Sequence, residues 1–346
     1  MKITRSRNRL QEPWKTTLLL AASAVLAVSC ASPPQAQDSA VDVDDEVRSA
    51  VSSEGEIVLA QMNWTNQQVN TEVARRVLTS MGANVTVQAL DDTTVFAAMA
   101  KSDNMVDMVV FRPTAQKFWD EFVTEQKTVV PIGETGYETV EGWYVPTYVI
   151  EGDPERGIEP VCPGLPDYRA INECAAAFAT PSTAGKARYL AGDPAWEPLF
   201  GDKERITNLD LNVVQEYAGS EASLVAEFKR ALDRGEPVLG LMWNPHMLFA
   251  KYDLTLVEMP PYSEECWGTT YACGWEMASN SIVASAEFAA GHPVATKFFE
   301  AYSLSADQNN EIMLQIEEEG LTVEEAVDEW MTANESVWQA WIPASI

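Results

Sequence analysis

The chain has 346 residues, 46% of them hydrophobic, which is length enough for two domains or one large one with a sizeable core. Its 52 acidic against 23 basic residues give a formal charge of −29. That balance excludes nucleic acid, whose phosphates need Lys and Arg, and argues against steering to an anionic surface. With two histidines, no phosphate loop and no G-x-S-x-G, the chain offers little to a catalytic reading, and it is not expected to be an enzyme.

Lys2, Arg5, Arg7, Arg9 and Lys15 form a basic N-terminal region, followed by the apolar run Leu18–Val28, too short to span a bilayer comfortably. The run ends Ala27-Val28-Ser29-Cys30, which resembles a bacterial lipoprotein signal. Residues 1–29 are then a signal peptide and Cys30 is the lipidated first residue, ordinary cleavage nearby being the alternative. No second stretch is long enough to be transmembrane, so membrane contact is expected through the lipid anchor alone. Residues 30–54 are small, acidic and Pro-containing, and read as a flexible tether. The folded part is expected from Gly55.

From there the pattern is strand, helix, strand. Ile57–Met62 reads as a strand, Val69, Val73 and Val77–Leu78 as the apolar stripe of a helix stopped by Gly82, and Val85–Leu90 as an alternating strand. Thr93–Lys101 reads as helix, Met105–Phe111 as buried strand, and Pro113–Glu125 as helix. This order predicts an α/β fold with a parallel sheet and ligands beyond the carboxyl ends of its strands. The aromatic segment GWYVPTYVIEGDPERG (142–157) reads as a crossover between lobes. A second unit follows, with strands expected near Phe178 and around Leu211–Val214. A helix capped by Ser220 carries Leu224, Phe228 and Leu232 on one face and ends at Gly235. The strand Val238–Met242 then delivers Trp243-Asn244-Pro245-His246. From Pro293 the chain reads as helical, including Leu304–Glu319 and Val323–Asn334. The glutamates at 317–319 and 324–325 are spaced as solvated helix faces.

Cys162, Cys174, Cys266 and Cys273, in an exported chain, read as two disulfides. Three pairings are possible, and the local one, Cys162–Cys174 with Cys266–Cys273, is the simplest. The spacings do not suit zinc, and His246 and His292 stand at no ligand spacing to them, so no metal site is expected.

Most of the eleven tryptophans need no ligand. Trp64, Phe111 and Trp243 differ because each sits just past an expected parallel strand, which sends all three to one sheet edge. Trp143, at the crossover, is a candidate fourth. Aromatic faces around a point suit a quaternary ammonium group, at about 0.5–2 kcal/mol per desolvated contact. Packing between lobes is the alternative use of the same rings.

The segment MWNPHMLFAKYDLTLVEMP (242–260) resembles the W-x-P-H-W-M-F-x-K-[WY]-D-L stretch of glycine betaine/choline/carnitine-binding proteins of ABC importers. NWTNQQVNTEVARRVLTSMGANVTV, VVFRPTAQKFWDEF and GWYVPTYV are similar to other segments of that family, in order, over roughly residues 57–342. The resemblance implies a two-lobed periplasmic-binding-protein fold, type II-like. Lobe I would be residues 55–147 plus 275–346 and lobe II residues 148–274, with a methylated amine in the cleft. It implies no cofactor and an ABC permease as partner. Trp64 and Trp243 match cage tryptophans, whereas Phe111 stands where a Trp is usual and Gln116 where a carboxylate-binding His is usual. Backbone amides near Ala179 and Thr180 would hold a betaine carboxylate. A glycine betaine-like osmolyte is the expected ligand; these departures leave choline, carnitine or trimethylamine N-oxide as alternatives, as well as a sensor role without transport. A cationic ligand would want an acidic partner, for which Glu138 and Glu141 are candidates. His246 is expected to brace the strand end that presents Trp243.

Overall fold

The computed structural model describes residues 43–346. The expected signal peptide, residues 1–29, the expected lipidation site Cys30 and the first part of the expected tether lie outside the described residues. The last part of that tether is folded: Asp45–Ser53 is a helix, capped by Asp44, whose side chain accepts from the Glu46 N–H. Val43, Val47 and Val51 recur every four residues and are buried, so a narrow valine stripe docks this helix although its composition is acidic. Ser52 donates to the Gly82 carbonyl at 2.9 Å and Arg48 to that of Ser80 at 3.2 Å, tying it to the next helix.

Among the described residues nine strands follow: β1 Glu56–Gln61, β2 Asn84–Ala89, β3 Met105–Phe111, β4 Val129–Pro146, β5 Ala187–Ala191, β6 Val213–Tyr217, β7 Gly240–Asn244, β8 Leu254–Leu256 and β9 Ala278–Ser285. Their order is β2-β1-β3-β9-β4-β7-β5-β6, with β8 pairing off β4. β1 runs parallel to β2 and β3, and β5 runs parallel to β6 and β7, as the strand–helix–strand order requires. β9 joins them antiparallel between β3 and β4.

β4 belongs to both halves of the sheet. Its residues Val129–Thr139 pair with β9, and Val140–Pro146 pair with β7 and β8. The change of partner falls between 139 and 140. Each half with its helices is called a lobe below. Gly133 of β4 lies so close to the helix Pro293–Ala301 that a Cβ would meet the Phe299 carbonyl at 2.3 Å, so no larger residue fits there.

The first lobe's core forms on the helix Thr65–Met81, which buries Val69, Val73, Val77 and Leu78 completely and ends at Gly82 with φ 100°. Each of these side chains contributes roughly 1.5–3 kcal/mol as an upper bound. In the second lobe Ser220 caps the helix Glu221–Arg234 by accepting from the Ser223 N–H, and Leu224, Phe228 and Leu232 are buried.

One expected strand is absent: the segment at Phe178 is a 3₁₀ turn, Ala175–Phe178, and the strand lies further on at Ala187–Ala191. An alanine run carries no alternation that would separate the two possibilities. The cysteines pair locally, Cys162 with Cys174 and Cys266 with Cys273. The second loop is held to the lobe by Arg205, which donates through Nε to the Cys273 carbonyl at 2.9 Å.

Candidate ligand-binding site

The strand ends deliver an aromatic wall. Trp64 stands immediately before the helix Thr65–Met81, Phe111 ends β3, and Trp243 is the penultimate residue of β7. All three line one cavity, together with Phe96 and Phe118 from the first lobe and Trp196 and Phe200 from the second. Its volume is about 90 Å³, well under the roughly 300–1,000 Å³ of drug-sized sites, which suits a small solute. The Trp196 and Trp243 rings meet edge to face at 5.9 Å and 80°.

Trp243 is braced from behind by His246, whose ring stands edge-on to it at 5.3 Å and 85°. His246 is buried and caps the short helix Met247–Lys251, accepting from the Leu248 N–H through Nδ1 at 3.2 Å. It does not line the cavity. The indole N–H of Trp243 is buried without a hydrogen-bond partner among the described residues.

Three carboxylic residues, Asp92, Asp107 and Glu141, share the wall with neutral polar ones such as Asn66, Thr139 and Asn280. Asp92 accepts from Trp64 Nε1 on one oxygen and from Trp196 Nε1 on the other, each at 3.1 Å. One side chain thus holds indoles from both lobes. Burial pushes the Asp92 carboxyl up, against those two bonds. Asp107, in the middle of the fully buried β3, is pushed up to about 8 by burial, opposed by the Val109 N–H and assisted by the nearby Asp92 charge. Glu141 is also pushed up to about 8, by burial first, with the Thr114 hydroxyl opposing and the charges of Asp92 and Asp202 assisting. Thr114 donates to Glu141 Oε2. Glu141 sits directly opposite Trp243 in the β4–β7 ladder, a register that places both side chains on one face. None of the described residues that line the cavity is basic.

Trp64, Phe111, Trp243 and Glu141 are therefore brought together. Glu138 is exposed and outside the cavity lining. Trp143 is fully buried behind the wall, stacked on Tyr189 at 4.1 Å and donating to Asp202 at 2.8 Å. Gln116 donates to Asp120 at 2.6 Å and does not line the cavity. In the turn at 179–183 the Ala179 N–H reaches the Ala176 carbonyl at 3.4 Å and the Thr180 N–H reaches Thr183 Oγ1 at 3.0 Å. Neither residue lines the cavity. Sequence reasoning missed Asp92 and Trp196. Asp92 follows the end of β2, so the strand-end rule that singled out Trp64 and Phe111 would have found it. Trp196 sits on a 3₁₀ turn, Pro194–Trp196, with no such signal.

Residues 55–333 match the family described as the substrate-binding domain of the ABC-type glycine betaine transport system. The chain belongs to this family. Its function is thereby that of a substrate-binding protein of glycine betaine-type ABC transporters, an extracytoplasmic class. A trimethylamine N-oxide-binding protein of Pelagibacter ubique (strain HTCC1062) is 28% identical over 303 residues, covering 84% of this chain and 92% of that protein. Among solved structures, the glycine betaine/L-proline-binding protein ProX of Borrelia burgdorferi superposes with a TM-score of 0.65 at 17% identity, covering 84% of this chain and 97% of that one. A choline-binding protein in complex with choline gives 0.64 at 20% identity, covering 84% and 92%. The lactococcal OpuAC in its closed, glycine betaine-bound form gives 0.60 at 18%, covering 84% and 100%. These structural likenesses establish the two-lobed fold for the family member described here. No helix among the described residues is long and apolar enough to cross a membrane.

Proposed function

We propose that the cavity captures a small methylated amine that carries no carboxylate, with trimethylamine N-oxide the best fit, and that the loaded chain docks on an ABC permease. The observation that carries this reading is the make-up of the wall: Asp92, Asp107 and Glu141 line it, and no basic lining residue accompanies them. A betaine carboxylate would find no cationic partner there. The amides near Ala179 and Thr180 lie outside the lining, and Gln116 is turned to Asp120. The faces of Trp64, Phe111, Trp196 and Trp243 suit the diffuse charge of an N-methylated head, at about 0.5–2 kcal/mol for each contact. Glu141, raised to about 8, is protonated at neutral pH and so can donate to an amine-oxide oxygen. The 28% identical relative named for trimethylamine N-oxide supports the same choice.

Choline is the second reading, because an ionised Glu141 would favour a full cation. Calorimetric titration of trimethylamine N-oxide, choline, carnitine and glycine betaine between pH 6 and 9 separates them. N-oxide affinity should fall as pH rises through about 8, where Glu141 loses its proton, and choline affinity should rise. Tightest binding by glycine betaine would overturn the ligand assignment. The N-terminal motif supports export and lipidation at Cys30. Mass spectrometry of the membrane-extracted chain should find an acylated Cys30 N-terminus, and Cys30→Ala should free the protein from the membrane.

A further inference from the structure

The helix Thr65–Met81 starts without a cap of its own. Trp64 occupies the N-cap position and its side chain makes no capping bond, since an indole has no acceptor. The first N–H of a helix needs an acceptor and favours a negative one. That acceptor comes from the other lobe. Glu221 Oε2, on the helix that follows β6, accepts from the Thr65 N–H at 2.7 Å and from the Thr65 hydroxyl at 2.9 Å. Glu221 is 5% exposed. Its second oxygen has no hydrogen-bond partner among the described residues and lies 3.7 Å from His246 Nε2. The same His246 backs the Trp243 ring. A chain of contacts thus runs behind the cavity from Trp243 through His246 and Glu221 to Thr65, whose neighbour is Trp64.

We propose that Glu221 is a positioning residue for ligand capture: an inter-lobe cap that fixes the Trp64 segment against the second lobe when the cleft closes. Moving the lobes apart would remove the cap from the helix and leave the Thr65 N–H to water, so closure and the setting of Trp64 are one event. Nearby, Asn63 donates to Asp193 of the second lobe at 3.2 Å, an exposed contact that cannot hold the segment with comparable strength. The inference goes beyond the ligand assignment, since the cap touches no ligand.

The purified chain and its Glu221→Ala, Glu221→Gln and Thr65→Val variants decide the matter. The measurements are amide hydrogen exchange at residues 65–68, small-angle scattering, and titration with trimethylamine N-oxide and choline. Glu221→Ala should speed exchange at these amides and enlarge the radius of gyration in the presence of the bound probe. It should also weaken that probe on the order of tenfold to a hundredfold, chiefly through faster release. Glu221→Gln, which keeps a carbonyl acceptor, should restore part of each effect, and Thr65→Val should show a smaller loss in the same direction. Wild-type protection and affinity in Glu221→Ala would overturn the proposal. So would a loss of protection spread evenly through both lobes with no rescue by Gln, which marks a purely structural role. If neither probe binds the wild-type chain, the ligand assignment fails, and unchanged exchange at residues 65–68 in Glu221→Ala still decides against the cap.

Discussion

Arg205 and the inter-lobe cavity are both surrounded by tryptophans and carboxyl groups, and they differ in the acceptors left over. The Arg205 guanidinium lies 3.8 Å from the Trp275 ring centre and 5.7 Å from that of Trp267. It donates to Asp202 at 2.6 Å and to the carbonyls of Phe200 and Cys273. These oxygens serve Nε and Nη1, because each unpaired buried N–H is costly, while Nη2 has no hydrogen-bond partner among the described residues. In the cavity the rings are present, yet both oxygens of Asp92 already accept indole N–H groups and Thr114 donates to Glu141. Such a wall suits a cationic head with no N–H to satisfy. The comparison shows that aromatic faces do not discriminate by themselves, and that the neighbouring acceptors do.

The largest expected effect tests the filled site. Arg205→Met should leave Asp202 buried without its ion pair and destabilise the chain by about 3–5 kcal/mol, read as a fall in melting temperature. Next, Trp243→Ala should weaken the bound amine on the order of a hundredfold, about 2.7 kcal/mol, while circular dichroism stays native. If affinity survives, the ring is packing and the two sites are not analogous. A third measurement follows stability against pH. Asp107 and Glu141 titrate near 8 in the folded chain and near 4 when unfolded. The folded state therefore holds extra protons in this interval, so the stability of the ligand-free chain should decline from about pH 4 to about pH 8. Glu141→Gln should make that decline shallower, and an unchanged slope would remove Glu141 from the account. The smallest effect belongs to Gln116→Ala, which should change affinity by less than about twofold because the side chain faces Asp120.

Much of the frame was legible in the residues. The i, i+4 valines of Thr65–Met81 and the Ser220-to-Gly235 helix stand where their periodicity and caps put them. β9 and the first part of β4 were not legible, since they gain their partners from distant strands and carry glycines and short polar residues. The strand-end rule pointed to Trp64, Phe111 and Trp243, and all three line the cavity. It could not locate Trp196, which a proline-initiated turn presents. Trp143 was misplaced by a matter of reach. It lies two residues beyond Glu141 on β4, about 7 Å along the strand, where Tyr189 and Asp202 enclose it. Gln116 was misplaced by rotation. Thr114, Ala115 and Phe118 share the cavity-facing side of their helix, and at 100° per residue position 116 points elsewhere.

Both crosslinks lie in the second lobe, one on each side of its sequence, and none of the first lobe's described residues takes part in one. Among the described residues, the oxidised cysteines thus lie in one half. Reducing agents should act asymmetrically, loosening the loop that carries the Cys273 carbonyl, then Arg205 and Asp202, while the Thr65–Met81 half keeps its packing. Production in a reducing cytosol would give a chain with one sound lobe and one compromised wall, and an oxidising compartment is the setting in which its binding should be assayed.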